Sequence, residues 1–218
     1  MTNSNNHVYI LDTSQLNNNN IFEFWYKKMP DKRKNKIDSF RFKKDKNLSL
    51  GAGIILLNGF ERAGIFDPEL VYNKNEKPSL AENKGVFFNI SHSGERVVCA
   101  FSNSEIGIDI ETIQHFEKSL REHIYLKNEI EHINALHDPD LGYTNLWTIK
   151  ESLMKYLGTG LSLPPDKIYI DFNLPITASC EGYETSKLSF TQYSISGYCI
   201  TVCSEHPNFA DELEWIML

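Results

Sequence analysis

The 218-residue sequence has no long apolar run and only four cysteines. A membrane-spanning helix needs roughly 20 consecutive apolar residues, so we expect no membrane span. The first seven residues are polar and lack the apolar core of a signal peptide. Cys99, Cys180, Cys199 and Cys203 form no C-x-x-C pair. Such thiols are typical of a reduced, cytoplasmic protein.

Positive charge is scarce overall, but it is concentrated in one segment. The net charge of −7 argues against a general nucleic-acid binder. Ten of the 22 Lys and Arg residues nevertheless lie in residues 27–46, opposed only by Asp31, Asp38 and Asp45. A charge run usually marks a solvated helix face. Its density here favours a polyphosphate ligand or an acidic partner surface.

Hydrophobic periodicity predicts helices and strands that do not alternate regularly, which favours an α+β fold. Residues 67–84 are predicted to be a loop, and residues 91–94 a turn or helix start. Gly158 is predicted to cap the helix that precedes it. Predicted strands cover residues 8–11, 86–90, 97–101, 106–111, 168–172, 188–194 and 198–202. One predicted helix begins at residue 21 and is interrupted at Pro30. Further helices are predicted over residues 31–42, 48–60, 115–137 and 144–157.

Carboxylates alternate with isoleucines along residues 106–111. Side chains on a strand point to opposite faces in turn, so Gly107, Asp109 and Glu111 share one face. Neighbouring carboxylates repel unless a cation lies between them, and oxygen ligands suit magnesium. We expect Gly107 to leave room for a ligand. The alternative is a half-exposed strand with an acidic outer face.

The helix predicted at residues 144–157 carries a third carboxylate. Helical spacing places Trp147, Glu151 and Lys155 on one face. An ordinary surface Glu–Lys pair is one interpretation, but the tryptophan indicates that the face is covered. The pattern then suits Glu151 on a metal and Lys155 on a phosphate.

A small polar cluster follows the strand predicted at residues 86–90. Ser91, His92, Ser93 and Gly94 can present a His side chain and backbone N–H groups to an anion. A capped helix with a surface His is an alternative. A Ser–His hydrolase is another, although no G-x-S-x-G motif stands nearby.

The order and spacing of these segments resemble the signature of the surfactin-type (Sfp-type) 4′-phosphopantetheinyl transferases. The likeness covers most of the chain. Its main motifs lie at residues 88–93, 106–111 and 147–155, with further similar elements at 30–33, 49–51, 77–78, 160–164 and 205–207.

The resemblance implies two pseudo-symmetric α/β halves, residues 1–104 and 105–218, with coenzyme A bound between them. It implies transfer of the 4′-phosphopantetheine arm of coenzyme A to a serine of an apo acyl or peptidyl carrier protein. The reaction releases 3′,5′-ADP and depends on magnesium. The partners would include neither nucleic acid nor membrane, and the chain would be a monomer.

The resemblance also implies a role for each site residue. Magnesium would be held by Asp109, Glu111 and Glu151, and the catalytic residues would be Glu151, Lys155 and His92. One departure concerns Asn47 and Leu48, where the family usually has an arginine for the 3′-phosphate. The expected coenzyme A contacts are Lys32, Lys36, Lys46, Lys77, Ser91, His92 and Lys155.

Two other functions use the same residues. A magnesium-dependent phosphohydrolase would use water as the nucleophile and release ADP from coenzyme A alone. A non-catalytic coenzyme A-binding module would bind the cofactor and modify no carrier. The sequence does not separate carriers of fatty acid, polyketide and nonribosomal peptide synthesis.

Overall fold

The computed structural model describes residues 6–82 and 85–218. Within these residues it contains six α-helices and eleven strands. The first part of the chain comprises β1 His7–Asp12, α1 Asn19–Lys28, α2 Asp31–Ser39, α3 Lys43–Arg62, β2 Leu70–Tyr72, β3 Pro78–Leu80, β4 Phe87–Ser93 and β5 Arg96–Ser102. The second part comprises β6 Ile106–Thr112, α4 Lys118–Ile124, α5 Lys127–Asn134, α6 Pro139–Leu157, β7 Ile168–Asp171, β8 Thr177–Cys180, β9 Ser189–Ile195, β10 Tyr198–Ser204 and β11 Glu214–Ile216.

The two parts repeat one arrangement of elements. In the first, β1, β5 and β4 are neighbours in a sheet, and α3 and the β2–β3 hairpin lie between β1 and β4 in the chain. In the second, β6, β10 and β9 are neighbours, with α6 and the β7–β8 hairpin between β6 and β9. All four of these strand pairings are antiparallel. This confirms the α+β fold with two pseudo-symmetric halves.

The final strand crosses back to the first sheet. β11 pairs in parallel with β1, with Tyr9 opposite Glu214 and Leu11 opposite Ile216. The first sheet therefore has four strands, in the order β11-β1-β5-β4.

A buried apolar layer joins the two sheets. Ile106, Ile108 and Ile110 are completely buried and pack with Val8 and Val98 of the first sheet. The shared direction predicted for the three isoleucines is confirmed. Their burial turns the other face of β6 toward α6.

Three local predictions were wrong. Residues 67–82, the described part of the loop predicted over 67–84, contain the β2–β3 hairpin, whose strands are too short for periodicity to reveal; residues 83–84 lie outside the described residues. Residues 91–93 continue β4, because their pairing with β5 extends to Ser93–Arg96 and the turn comes only at Gly94 (φ +59°). Residues 115–137 contain two helices, because the backbone adopts an extended conformation at Tyr125 and ends the first helix there.

Other boundaries moved by a few residues. α2 ends at Ser39 rather than at residue 42, and α3 begins at Lys43, before the predicted apolar stretch. The cap at Gly158 is confirmed, since this residue adopts the left-handed conformation (φ +67°). The four cysteines are free and buried. Within the described ranges, no helix is long and apolar enough to span a membrane.

Candidate active site

A cleft of about 390 Å³ lies between the two halves. This volume falls within the range of small-molecule sites. The first half lines it from α2, α3, the β2–β3 hairpin and β4, and the second half from α6 and the residues that follow. Its polar lining includes Arg33, Lys36, Asp45, Ser49, Asn75, Glu76, Lys77, Asn89, His92, Glu151 and Lys155.

A triad of polar side chains, two of them buried, joins the two halves. The ammonium of Lys155 donates to Asp109 Oδ1 at 2.6 Å and to Ser91 Oγ at 2.7 Å. The Ser91 hydroxyl donates to the same Asp109 oxygen at 2.8 Å. Ser91 and Asp109 are 7% and 2% exposed. The Ser91 hydroxyl is therefore already bonded within the protein, and the predicted side-chain contact to a phosphate would compete with these bonds.

Strands β4 and β6 belong to different sheets and are joined by hydrogen bonds of side chains rather than by backbone pairing. Ser93 donates to Glu111 Oε2 at 2.8 Å, two residues beyond the Ser91–Asp109 bond on each strand. The Asn89 side chain accepts from the Ile108 N–H at 2.9 Å. The matched spacing of two residues aligns the polar faces of both strands.

Helix α6 packs directly on β6 at Gly107. A methyl group added to Gly107 would overlap the carbonyl oxygen of Ser152 and the backbone nitrogen of Tyr156. Gly107 shares the face of Asp109, as predicted, but the space beside it holds the helix backbone. The expectation that this glycine leaves room for a ligand was wrong.

Lys155 compensates only part of the negative charge of the carboxylates. Burial, followed by repulsion from Asp109 and Glu111 and opposed by Lys155, raises the pKa of Glu151 to about 7. Burial and Asp109 also raise the pKa of Glu111, while hydrogen bonds from Ser93 and Trp147 and the charge of Lys155 lower it. The site therefore favours either a proton or a cation near these oxygens.

No three His, Cys, Asp or Glu side chains converge as a formed metal site anywhere in residues 6–82 and 85–218. The Lys155 ammonium occupies one oxygen of Asp109. The other, Oδ2, is buried without a hydrogen-bond partner among the described atoms.

His92 lies on β4 next to Ser91 but faces the cleft. Loss of solvent within the cleft and the charge of Lys155 lower its pKa, with a smaller contribution from Lys36. The neutral ring can donate one hydrogen bond and accept another.

The Lys150–Glu151 motif divides between two faces of α6. Lys150 is completely buried and donates to Glu129 at 2.7 Å and to the carbonyl of Pro165 at 3.0 Å. Burial lowers its pKa, and the bond to Glu129 opposes this. Lys150 thus fixes α5 and the Pro165 turn on α6, while Glu151 lines the cleft.

The predicted cations differ in their relation to the cleft. Lys36 lines it. Lys32 lies beside its wall, 4.9 Å from the ring centre of Tyr72. Lys46 belongs to α3 and is absent from the lining. Lys77 lines the cleft, but its ammonium is bonded to the second half.

Two cleft residues were not among the expected coenzyme A contacts, although both lie in elements that resemble the family. Arg33 lines the cleft without a carboxylate partner in the described chain, and burial lowers its pKa. Ser49 is 6% exposed, and its hydroxyl has no hydrogen-bond partner among the described residues. A charge run does not reveal which cation faces inward. Asn47, where an arginine was expected, is 3% exposed and donates to Asn17.

Comparison with known proteins places this arrangement in one family. Residues 105–203 match the family model described as the 4′-phosphopantetheinyl transferase superfamily. The 4′-phosphopantetheinyl transferase Sfp of Bacillus subtilis is 30% identical over 194 residues, covering 86% of each chain. A further 4′-phosphopantetheinyl transferase of Bacillus subtilis is 33% identical over 166 residues, covering 72% of this chain and 70% of the relative. The AcpT transferase of Escherichia coli is 26% identical, covering 68% and 73%. The chain belongs to the Sfp-type 4′-phosphopantetheinyl transferases, a family of transferase enzymes.

Proposed function

We propose that this chain transfers the 4′-phosphopantetheine arm of coenzyme A to a serine hydroxyl of an apo carrier protein, releasing 3′,5′-ADP. The observation that carries the proposal is the cleft between the halves. Its lining brings Arg33 and Lys36 to the same space as Glu151, which is the cleft-lining member of a carboxylate cluster with Asp109 and Glu111. Such a combination suits a diphosphate that reacts at one end and is anchored at the other.

The carboxylate cluster fits magnesium. All its donors are oxygens, and Asp109 Oδ2 is buried without a partner among the described atoms. Burial first, and then repulsion between the carboxylates, raises the pKa values of Glu111 and Glu151, and a cation would relieve that repulsion. We propose that these three residues hold the ion. When bound, magnesium would neutralise charge on the diphosphate.

The chain's own residues supply the other requirements of phosphoryl transfer. Glu151 lines the cleft and would accept the proton of the attacking serine. Lys155 would place its charge beside the diphosphate oxygens while remaining fixed by Asp109. His92 faces the cleft and would donate to a phosphate oxygen.

The nucleotide end would be held by the cations of α2. Arg33 presents a planar fork that matches phosphate, and Lys36 adds a second charge to the same wall. We propose that Arg33 supplies the contact to the 3′-phosphate that the family usually draws from the position of Asn47. The Ser49 hydroxyl offers a further hydrogen bond.

The cleft is built from one chain, which supports a monomer. We propose a division at residues 104–105, between the end of β5 and the start of β6. The four free, buried cysteines support a cytoplasmic location. The net charge of −7 supports the proposal that neither nucleic acid nor an anionic membrane is a partner.

Mass spectrometry of apo carrier proteins incubated with coenzyme A and magnesium tests the proposal. We expect one serine to gain a single phosphopantetheine. ADP release from coenzyme A alone would indicate a phosphohydrolase instead. Binding of coenzyme A without modification of acyl or peptidyl carriers would indicate a binding module.

A further inference from the structure

The turn between β2 and β3 reaches from the first half to the second. This hairpin turn, residues 73–77, places two side-chain amides on one backbone oxygen. Asn73 and Asn75 both donate to the carbonyl of Gly158, at 3.1 and 2.8 Å. Gly158 directly follows α6 and caps it.

Lys77 extends the same contact. Its ammonium donates to the carbonyl oxygens of Tyr156 at 3.0 Å and Ile106 at 3.2 Å, and to the carboxylate of Glu105. An ammonium has three N–H donors, so all three are used. A phosphate could bind this group only by displacing one of its present partners.

The end of α6 explains why these donors are needed. A helix ends with backbone carbonyls that have no partner within the helix. The N–H groups of Gly158 and Thr159 bond to the carbonyls of Lys155 (3.2 Å) and Met154 (3.0 Å), which forms a Schellman motif. The carbonyls of Tyr156 and Gly158 lie outside that motif, and the hairpin turn supplies their donors.

Both contacted elements carry site residues. Tyr156 directly follows Lys155, and Ile106 begins the strand that contains Asp109. From this geometry we infer that the hairpin turn is a latch between the halves, and that Lys77 is a positioning residue rather than a nucleotide ligand. It fixes the end of α6 against the start of β6 and so holds Lys155 on Asp109. The inference rests on the proposed function for its effect on turnover.

Lys77→Met tests the latch, with Lys74→Met as the matched control. Lys74 is an exposed lysine of the same turn, so its variant removes the same charge without removing a bond to the second half. In Lys77→Met, we expect faster hydrogen exchange at the Gly158 and Thr159 amides. We also expect a fall in kcat of about 10-fold or more, with the Kd for coenzyme A changed less than about 3-fold. Lys74→Met should match the wild-type protein in all three measurements.

A Kd weakened about 10-fold or more, with unchanged exchange at Gly158 and Thr159, would overturn the inference and make Lys77 a ligand. Asn73→Ala provides a second variant in case Lys77→Met does not fold, because Asn73 lies outside the lining of the cleft. It should accelerate the same exchange without weakening coenzyme A binding. Exchange and binding are measured without turnover, so an inactive wild-type protein would refute the proposed function and leave the test of the latch intact.

Discussion

The two halves share a topology but divide the chemistry between them. In the first half the leading strand, β1, is apolar through Val8–Leu11, and the long helix α3 is largely buried. In the second half the corresponding strand, β6, carries Asp109 and Glu111, and the corresponding helix carries Glu151 and Lys155. The repeated scaffold thus places the three carboxylates in the second half, whereas the first half contributes the cations of α2 and apolar walls to the cleft. Ser91 and Ser93 are the first half's direct contacts to the carboxylates.

The two halves also differ in which element carries the glycine at the contact between helix and strand. In the first half the glycine is on the helix: Gly51 of α3 lies against Thr13 and Leu11, and an added methyl group would be 2.6 Å from a Thr13 methyl carbon. In the second half the glycine is on the strand, and Gly107 faces the backbone of α6. A side chain can rotate away from an intruding atom, whereas a helix backbone cannot. The second half therefore tolerates less change at its contact.

The largest effect should come from the second half's helix. Glu151→Gln removes the proposed base and a magnesium ligand, so we expect kcat to fall on the order of 1,000-fold. Phosphopantetheine transfer measured by mass spectrometry checks this. Near-normal turnover would refute the role of Glu151. Glu117→Gln, at an exposed position, provides the control.

Asp109→Asn tests the second half's strand. The amide keeps the shape of the carboxylate and can still accept from Ser91, but it lacks the charge that would hold a divalent ion. We expect the magnesium concentration for half-maximal rate to rise at least about 10-fold to 100-fold. A magnesium titration of the initial rate provides the measurement. An unchanged midpoint would place the ion elsewhere.

Arg33→Met tests the first half's share of the site. Loss of a charge-assisted contact to the 3′-phosphate should raise the KM for coenzyme A about 10-fold to 100-fold, with little change for dephospho-coenzyme A. Arg41→Met is the control, because Arg41 is exposed and absent from the cleft lining. An equal rise in the KM values for coenzyme A and for dephospho-coenzyme A would show that Arg33 does not bind the 3′-phosphate.

Gly107→Ala and Gly51→Ala compare the two helix contacts directly. Overpacking typically costs about 1–3 kcal/mol, occasionally more. We expect Gly51→Ala within that range and Gly107→Ala above it, because only Gly107 faces backbone atoms. Urea unfolding of both variants measures the difference. A smaller loss for Gly107→Ala would contradict the proposed rigidity of that contact.

The smallest effect is a pH dependence of stability in the metal-free protein. The pKa of Glu151 is about 7 in the folded state against an ordinary 4.5, so the native state binds more protons between these values. The free energy of unfolding should therefore decrease as pH rises through this interval. We expect Glu151→Gln to reduce that slope in urea unfolding at pH 5 and pH 8. An identical pH dependence of stability in both proteins would show that the pKa of Glu151 is not raised in the folded state.

The sequence predicted side-chain direction correctly where polar and apolar residues alternate along a strand. Alternation placed Asp109 and Glu111 on one face, and the buried isoleucines confirm that direction. It could not show that α6 fills the space beside Gly107, because this contact joins residues about 45 positions apart. The repeat escaped detection because the halves share strand order and not side chains.

Local propensity failed where tertiary contacts decide. Helical spacing placed Glu151 and Lys155 on one face, but it did not show that the neighbouring Lys150 is buried against Glu129. The basic run was recognised, but Arg33 could not be distinguished from its neighbours until α2 was packed against the cleft. The sequence pattern thus showed which side chains share a strand or helix face, but not which of them are anchored by tertiary contacts.

The pairing of β11 with β1 has a consequence for synthesis on the ribosome. The first sheet cannot be completed until residues 214–216 have emerged, although its other three strands lie within the first 102 residues. Until then the backbone edge of β1 is open to pairing with other chains. The first half is therefore most exposed to misassembly while the second half is still being synthesised. Because β11 closes the edge of β1, the first sheet can be completed only after the second half has been made.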